Sequence, residues 1–323
     1  MRYLPLFLLC FAVGCGASNP SHGGGGNGGT GGGGTGGTGG GGSGGTGGGT
    51  GGGGTGGSGG GTGSDCSDAA KLIYTIDSNG TFSSFKPDQT DITKSVFTDI
   101  GTLNCNGGFG AQPFSMSVDR SATAWVEYYD GVTKSQLFKV STANAACTAT
   151  TFMGGQQGMN EFGMGFVSDA SGSTTETLYI GGGGSVGMGQ AWLGTLDTNT
   201  LTITKGNNIT GDPELTGTGL ADLWGFFPVT GNNTMARVSK IDKTSAMESS
   251  TIPLSSLTGT AEAWAFGFYG GDFWVFLATG GGATIVYHVT QAGGMQPVNQ
   301  LNTQTRHIVG AGVSTCAPTT PIG

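Results

Sequence analysis

Glu161-Phe162-Gly163-Met164-Gly165-Phe166 decides the fold, because the same kind of element returns through the chain. It occurs earlier as Pro113-Phe114-Ser115-Met116-Ser117-Val118. It returns as Glu214-Leu215-Thr216-Gly217-Thr218-Gly219, then as Ala263-Trp264-Ala265-Phe266-Gly267-Phe268, and last as His307-Ile308-Val309-Gly310-Ala311-Gly312. The starts are 48, 53, 49 and 44 residues apart. Three further strand-like runs follow each of the first four copies. After the first these are Thr123–Tyr129, Gln136–Ser141 and Ala146–Phe152; after the fourth, Asp272–Ala278, Thr284–Val289 and Met295–Leu301.

A repeated unit of four short strands is the pattern of a β-propeller blade. The fifth copy has no strands after it, and the N-terminal runs Leu72–Asp77, Thr81–Lys86 and Phe97–Cys105 supply what is missing. The expected fold is therefore all-β, a β-propeller of five blades, closed by one C-terminal strand plus three N-terminal strands. This closure hides the terminal blade's edges. A β-sandwich gives no reason for a regular four-run repeat. The repeated element is rich in Gly, Ser, Ala and Thr, and the expectation is that crowding at the axis keeps its side chains small. Strands further out, such as Phe273-Trp274-Val275-Phe276-Leu277, are apolar throughout, as buried strands are.

Residues 65–323 form this domain. The segment before it is different in kind. Residues 23–64 are almost entirely Gly, Thr and Ser, with no apolar surface to offset the entropy of ordering them. As a flexible coil such a tether spans roughly 35 Å r.m.s.. Its two matches to the nucleophile-elbow pattern, Gly41–Gly45 and Gly56–Gly60, follow no strand and arise from low complexity. At the very start, Arg2 precedes an apolar run, Tyr3–Val13, too short to span a bilayer. The run ends in Ala12-Val13-Gly14-Cys15, which resembles the lipobox of bacterial lipoproteins, with Ala12 where Leu is commonest. That resemblance implies removal of residues 1–14, lipidation at Cys15, and a lipidated tether over 15–64. Gly16 after the Cys leans towards the outer membrane. The rival expectation is secretory cleavage near Ala17, which would release the protein.

Four cysteines lie in the domain, and an even number in an exported chain suggests two disulfides. The ring brings Cys66, before the first strand, beside Cys316, after the last. Cys105 and Cys147 then pair between the outer strands of neighbouring blades. Metal and cofactor sites are not expected: no CxxC exists, and the domain holds only His288 and His307. Gly182–Gly187 matches GxGxxG, but Ala191–Leu196 after it reads as a strand, so no helix N-terminus is available for phosphate.

All 20 carboxylates, and every Lys and Arg but Arg2, belong to the domain. It is acidic and has no basic stripe, so nucleic acid is not an expected partner. Two histidines leave little room for a Ser-His-Asp arrangement. The remaining candidates follow from aligning the copies. Glu161, Glu214 and His307 share the start of the repeated element, while Glu262 and Arg306 fall one residue earlier in theirs. Starts of inner strands open on one face, so these five would ring one mouth of the axial funnel, with Gln112 and Asn160 nearby. Asp119, Asp169 and Asp222 are expected to cap their own turns. The domain is expected to be monomeric. Its first functional expectation is a non-enzymatic module binding a glycan or protein; the alternative is a carbohydrate-active enzyme using Glu161, Glu214 and Glu262.

The words Phe114–Arg120, Phe162–Val167 and Ile308–Pro318 resemble those of an uncharacterised lipoprotein family of myxobacteria, over most of 72–318. The resemblance implies an outer-membrane or surface location and carries over no catalytic residue.

Overall fold

The computed structural model describes residues 66–88, 91, 93–108, 110–132, 134–183, 190–231, 233–298 and 305–321. Cys15, the signal segment, the Gly-rich tether and most of the Gly182–Gly187 loop lie outside the described residues. Twenty strands form five antiparallel four-stranded sheets. Blade I joins β20 (Ile308–Gly312) to β1 (Ile73–Asp77), β2 (Thr81–Phe85) and β3 (Phe97–Thr102). Blade II is β4 (Gln112–Val118), β5 (Thr123–Tyr129), β6 (Ser135–Ser141) and β7 (Cys147–Ala149). Blade III is β8 (Phe162–Ser168), β9 (Glu176–Gly182), β10 (Trp192–Leu196) and β11 (Ile203–Asn208). Blade IV is β12 (Glu214–Gly217), β13 (Leu223–Phe227), β14 (Arg237–Ile241) and β15 (Glu248–Pro253). Blade V is β16 (Ala261–Tyr269), β17 (Asp272–Thr279), β18 (Ile285–Val289) and β19 (Met295–Pro297).

The innermost strands β4, β8, β12, β16 and β20 pack each against the next, and β20 returns to β4. The chain is thus a five-bladed β-propeller, closed by pairing β20 with β1: Tyr74 faces Gly312 and Thr75 faces Ala311. The disulfides are Cys66–Cys316 and Cys105–Cys147, with Cα separations of 5.8 and 5.4 Å. The first joins the two ends of the domain; the second links blades I and II at their outer edges. Among the described residues no helix is long and apolar enough to cross a membrane.

The small residues of the inner strands have a different cause from the one expected. A propeller strand points alternate side chains at its two neighbouring blades. In β8, Phe162, Met164 and Phe166 pack back towards blade II, against Trp125 and Leu137. Gly163 and Gly165 face blade IV. A Cβ on Gly165 would lie 3.0 Å from main-chain atoms of Leu215 and Thr216, and one on Gly163 would collide with the carbonyl oxygen of Pro213. Over Phe162–Phe166 the large residues therefore face the preceding blade and the glycines the following one. The axis itself does not demand small side chains, since Phe114 and Trp264 also belong to inner strands.

Hydroxyls of Ser117 and Thr216 on inner strands, and of Thr284 just before β18, have a further use. Each inner strand has one edge with no ladder partner, and its N–H groups must be satisfied there. Phe166 N–H donates to Ser117 Oγ at 3.1 Å, Phe268 N–H to Thr216 Oγ1 at 3.1 Å, and Ile308 N–H to Thr284 Oγ1 at 2.8 Å. In every case the acceptor belongs to the preceding blade.

Further out, β17 is the second strand of its blade, not an outer one, and Phe273, Val275 and Phe276 are fully buried. The fourth strands are largely exposed; β19 is Met295–Pro297, and residues 299–301 of the run expected there lie outside the described residues. Asp119 caps its turn by accepting from the N–H groups of Ser121 and Thr123. Asp222 does not cap: it pairs with Lys240 at 2.7 Å, and Thr218 Oγ1 takes the N–H groups of that turn. Asp169 accepts from the Thr177 hydroxyl across its hairpin.

The contact between β8 and β12 has a direct test. Gly163→Ala is expected to lower unfolding free energy by about 3 kcal/mol, because only backbone can yield. Gly231→Ala, where a Cβ meets nothing within 4 Å, should change it by less than about 0.5 kcal/mol. Urea unfolding of the two variants measures both.

Candidate functional site

Adjacent inner strands run in the same direction, so their starts open on one face and their ends on the other. At the starts, Phe114, Glu161, Glu214, Asp212 and Trp264 line a single cavity on the axis. Its volume is about 10 Å3, room for about one water. The funnel is closed by aromatic and carboxyl side chains from four blades.

Buried carboxyls dominate this cavity. Glu214 is 2% exposed, Glu161 6%, and Glu127, on β5 behind them, 0%. Charged groups are rarely buried to this degree without partners, and partners are present. Ser115 donates its hydroxyl to Glu214 Oε2 at 2.8 Å. Ser115 lies on β4 and Glu214 on β12, two blades apart, so this bond spans the axis. Glu127 Oε2 accepts the N–H of Phe162, at the free edge of β8, at 3.2 Å. Tyr129 stands beside them: burial first, then the Glu161, Asp130 and Glu127 carboxyls, push its phenol well above the usual range.

The five candidates from the sequence do not form one ring. Glu161 and Glu214 meet in the axial cavity. Glu262 sits at a register shift between Ala261 and Ala263, the origin of its one-residue offset, and accepts the N–H of Gly281 in its own blade's hairpin. Arg306 turns to blade I, where it pairs with Asp99 at 2.7 Å, donates to Ser83 and lies over the Phe97 ring. His307 is held by its main chain, whose carbonyl accepts from Ser78 N–H.

An open pocket adjoins the cavity on the same face and shares Asp212 with it. Its volume is about 540 Å3, within the range of small-ligand sites. Gln190, Asn208, Thr210 and Asp212 give its polar lining, Ala191 and Ile209 its apolar lining. The amides of Asn208 and Gln190 are hydrogen-bonded at 3.0 Å. No basic side chain lines it among the described residues. The pocket was not legible in the sequence because, apart from Asn208 at the end of β11, its residues lie in connections that carry no periodicity. Glu127 was detectable, as a carboxyl inside the otherwise buried run Thr123–Tyr129.

No family model matches the chain, and no curated protein resembles its sequence. Among solved structures, it is similar to an α-L-arabinanase from Penicillium chrysogenum complexed with arabinobiose: 8% identity, TM-score 0.41, 60% of this chain and 68% of that one. It is also similar to the SapL1 lectin in complex with α-methyl fucoside, with 13% identity, TM-score 0.40 and coverage of 74% and 84%. A protein of unknown function from Bacteroides caccae matches at 7% identity, TM-score 0.40, with the same coverage.

The bond across the axis predicts a measurable cost. Ser115→Ala removes a hydrogen bond to a buried carboxyl and should destabilise the fold by about 2 kcal/mol. Ser121→Ala, in an exposed turn, should cost less than half of that. Chemical denaturation midpoints at constant pH compare them.

Proposed function

We propose that the chain is an exported lipoprotein, held at a membrane through Cys15 and a Gly-rich tether, whose propeller is a non-enzymatic binding module for a glycan or protein ligand. The observation that carries the binding reading is the pocket of about 540 Å3 beside the acid-lined axial cavity. It concentrates a carboxyl, two amides and a hydroxyl on the face where the inner strands begin. Two disulfides fit an oxidising, non-cytoplasmic compartment. The anchor reading rests on the lipobox-like Ala12–Cys15 and the apolar run before it.

The carbohydrate-active alternative gains no support from its carboxyls. A glycosidase needs room for a sugar ring at its two acids. The cavity between Glu161 and Glu214 holds about one water and no pyranose ring, and Glu262 points into its own hairpin.

Two measurements test the proposal. The full chain should partition with detergent and carry an acyl modification detectable by mass spectrometry, while Cys15→Ala should partition with water. An unmodified parent contradicts the anchor. For binding, the soluble Cys15→Ala chain is screened against glycans and envelope proteins. The double variant Asn208→Ala/Asp212→Asn should weaken the ligand found by about ten-fold or more, from two lost hydrogen bonds. Unchanged affinity contradicts the pocket.

A further inference from the structure

The connection from blade III to blade IV carries the chain's one Asp–Pro bond, within Gly211-Asp212-Pro213-Glu214. A bond of this kind is open to attack from within. The Asp side chain reaches its own main-chain carbonyl through a five-membered ring, and the proline nitrogen, a tertiary amide, is readily protonated as it leaves. Such a pair has the advantage of an intramolecular reaction. The surroundings supply what else the reaction needs. Glu161, Asp212, Pro213 and Glu214 all line the axial cavity, which has room for about one water. Glu161 and Glu214 are buried, and Glu214 accepts the Ser115 hydroxyl across the axis. Asp212 is half-buried and also lines the open pocket, through which water can arrive. No basic side chain lines the cavity among the described residues. Pro213 is held from blade III: a Cβ on Gly181 would lie 3.2 Å from its ring Cγ, and one on Gly163 would collide with its carbonyl oxygen. Gly211, with a φ of +92°, turns the chain into Asp212.

We propose that the folded chain cuts itself at Asp212–Pro213, with Asp212 as nucleophile and a glutamate of the axial cavity, Glu161 or Glu214, as proton donor. A carboxylate oxygen of Asp212 attacks the Asp212 carbonyl carbon. The glutamate protonates the Pro213 nitrogen, the C–N bond breaks, and a cyclic anhydride remains. Water opens it to the side-chain carboxyl and a new C-terminal carboxyl. Of the two protons released, one returns to the glutamate and the other makes the Pro213 nitrogen a secondary ammonium. That cation arises in a cavity lined by three acidic residues and no base, so the product gains an ion pair the intact chain lacks. The cut does not open the ring. Cys66 belongs to the piece before it and Cys316 to the piece after it, so their disulfide joins the two. β20 stays paired with β1 across the same divide. The cut chain keeps its five blades and carries two new termini beside the open pocket. The reaction needs no ligand, so its outcome is independent of what the pocket binds.

The full chain is incubated at mildly acidic pH, folded and, in parallel, unfolded in guanidinium at the same pH. Samples are taken with and without reduction and their masses measured. After reduction the folded chain should give a piece ending at Asp212 and a piece that begins Pro213-Glu214-Leu215. Without reduction it should remain one species, heavier by one water. Cleavage should be about ten-fold or more faster in the folded chain than in the unfolded one, where only the intrinsic lability of the bond acts. The double variant Glu161→Gln/Glu214→Gln should fall to the unfolded rate, and Asp212→Ala should give no cut. An equal or slower rate in the folded parent overturns the proposal, and so does undiminished cleavage in the double glutamine variant. Should that variant not fold, the folded-to-unfolded ratio of the parent decides alone.

Discussion

Five strands surround an axis, and each presents a backbone edge that no sixth strand can pair. That constraint governs the molecule. The preceding blade answers it with Ser117, Glu127, Thr216 and Thr284, which accept N–H groups from Phe166, Phe162, Phe268 and Ile308. Neighbouring inner strands also approach closely, and where β8 meets the start of β12 the side facing the next blade is Gly163 and Gly165. The opposite side is free to be large, and it supplies the interblade cores. One alternation thus provides both polar satisfaction and apolar burial, and its repetition is what makes the chain a ring.

Much of this was legible. The four-run repeat, the five blades and the shared closing blade all follow from recurring hydropathy, because every blade meets the same neighbours and needs the same pattern. The Cys66–Cys316 disulfide followed from where the ring brings the chain ends, and Cys105–Cys147 from the two cysteines then left. The reason for the small residues was not legible: sequence shows that Gly163 and Gly165 are small, but not that they face Pro213, Leu215 and Thr216 rather than the lumen. Glu262 and Arg306 shared an offset in the alignment, but their side chains take partners away from the axial cavity, Gly281 and Asp99. A bulge turned one onto its own hairpin, and the Asp99 carboxyl drew the other to blade I. The burial of Val313–Ala317 was not legible either: Ser314 and Pro318 read as a turn, which is ordinarily exposed, and here contacts from all five blades cover it.

The two ends of the axis are closed by different chemistry. At the strand starts, Glu161 and Glu214 share a cavity of about one water with Phe114 and Trp264. At the strand ends, Thr315 sits between Arg120 and Glu176. The proposed binding surface is the pocket beside the strand starts, edged by Gln190, Asn208 and Asp212. The disulfide at Cys66 lies at the other end, where the upstream chain enters the domain. Entry and pocket are therefore on opposite faces.

Amide hydrogen exchange at the inner edges tests the central claim most directly. If the preceding blade satisfies those edges, the N–H groups of Phe166, Phe268 and Ile308 exchange only with global unfolding, as slowly as ladder amides in β5 or β17. Exchange at the rate of an unpaired edge, while those ladder amides stay protected, would contradict the account.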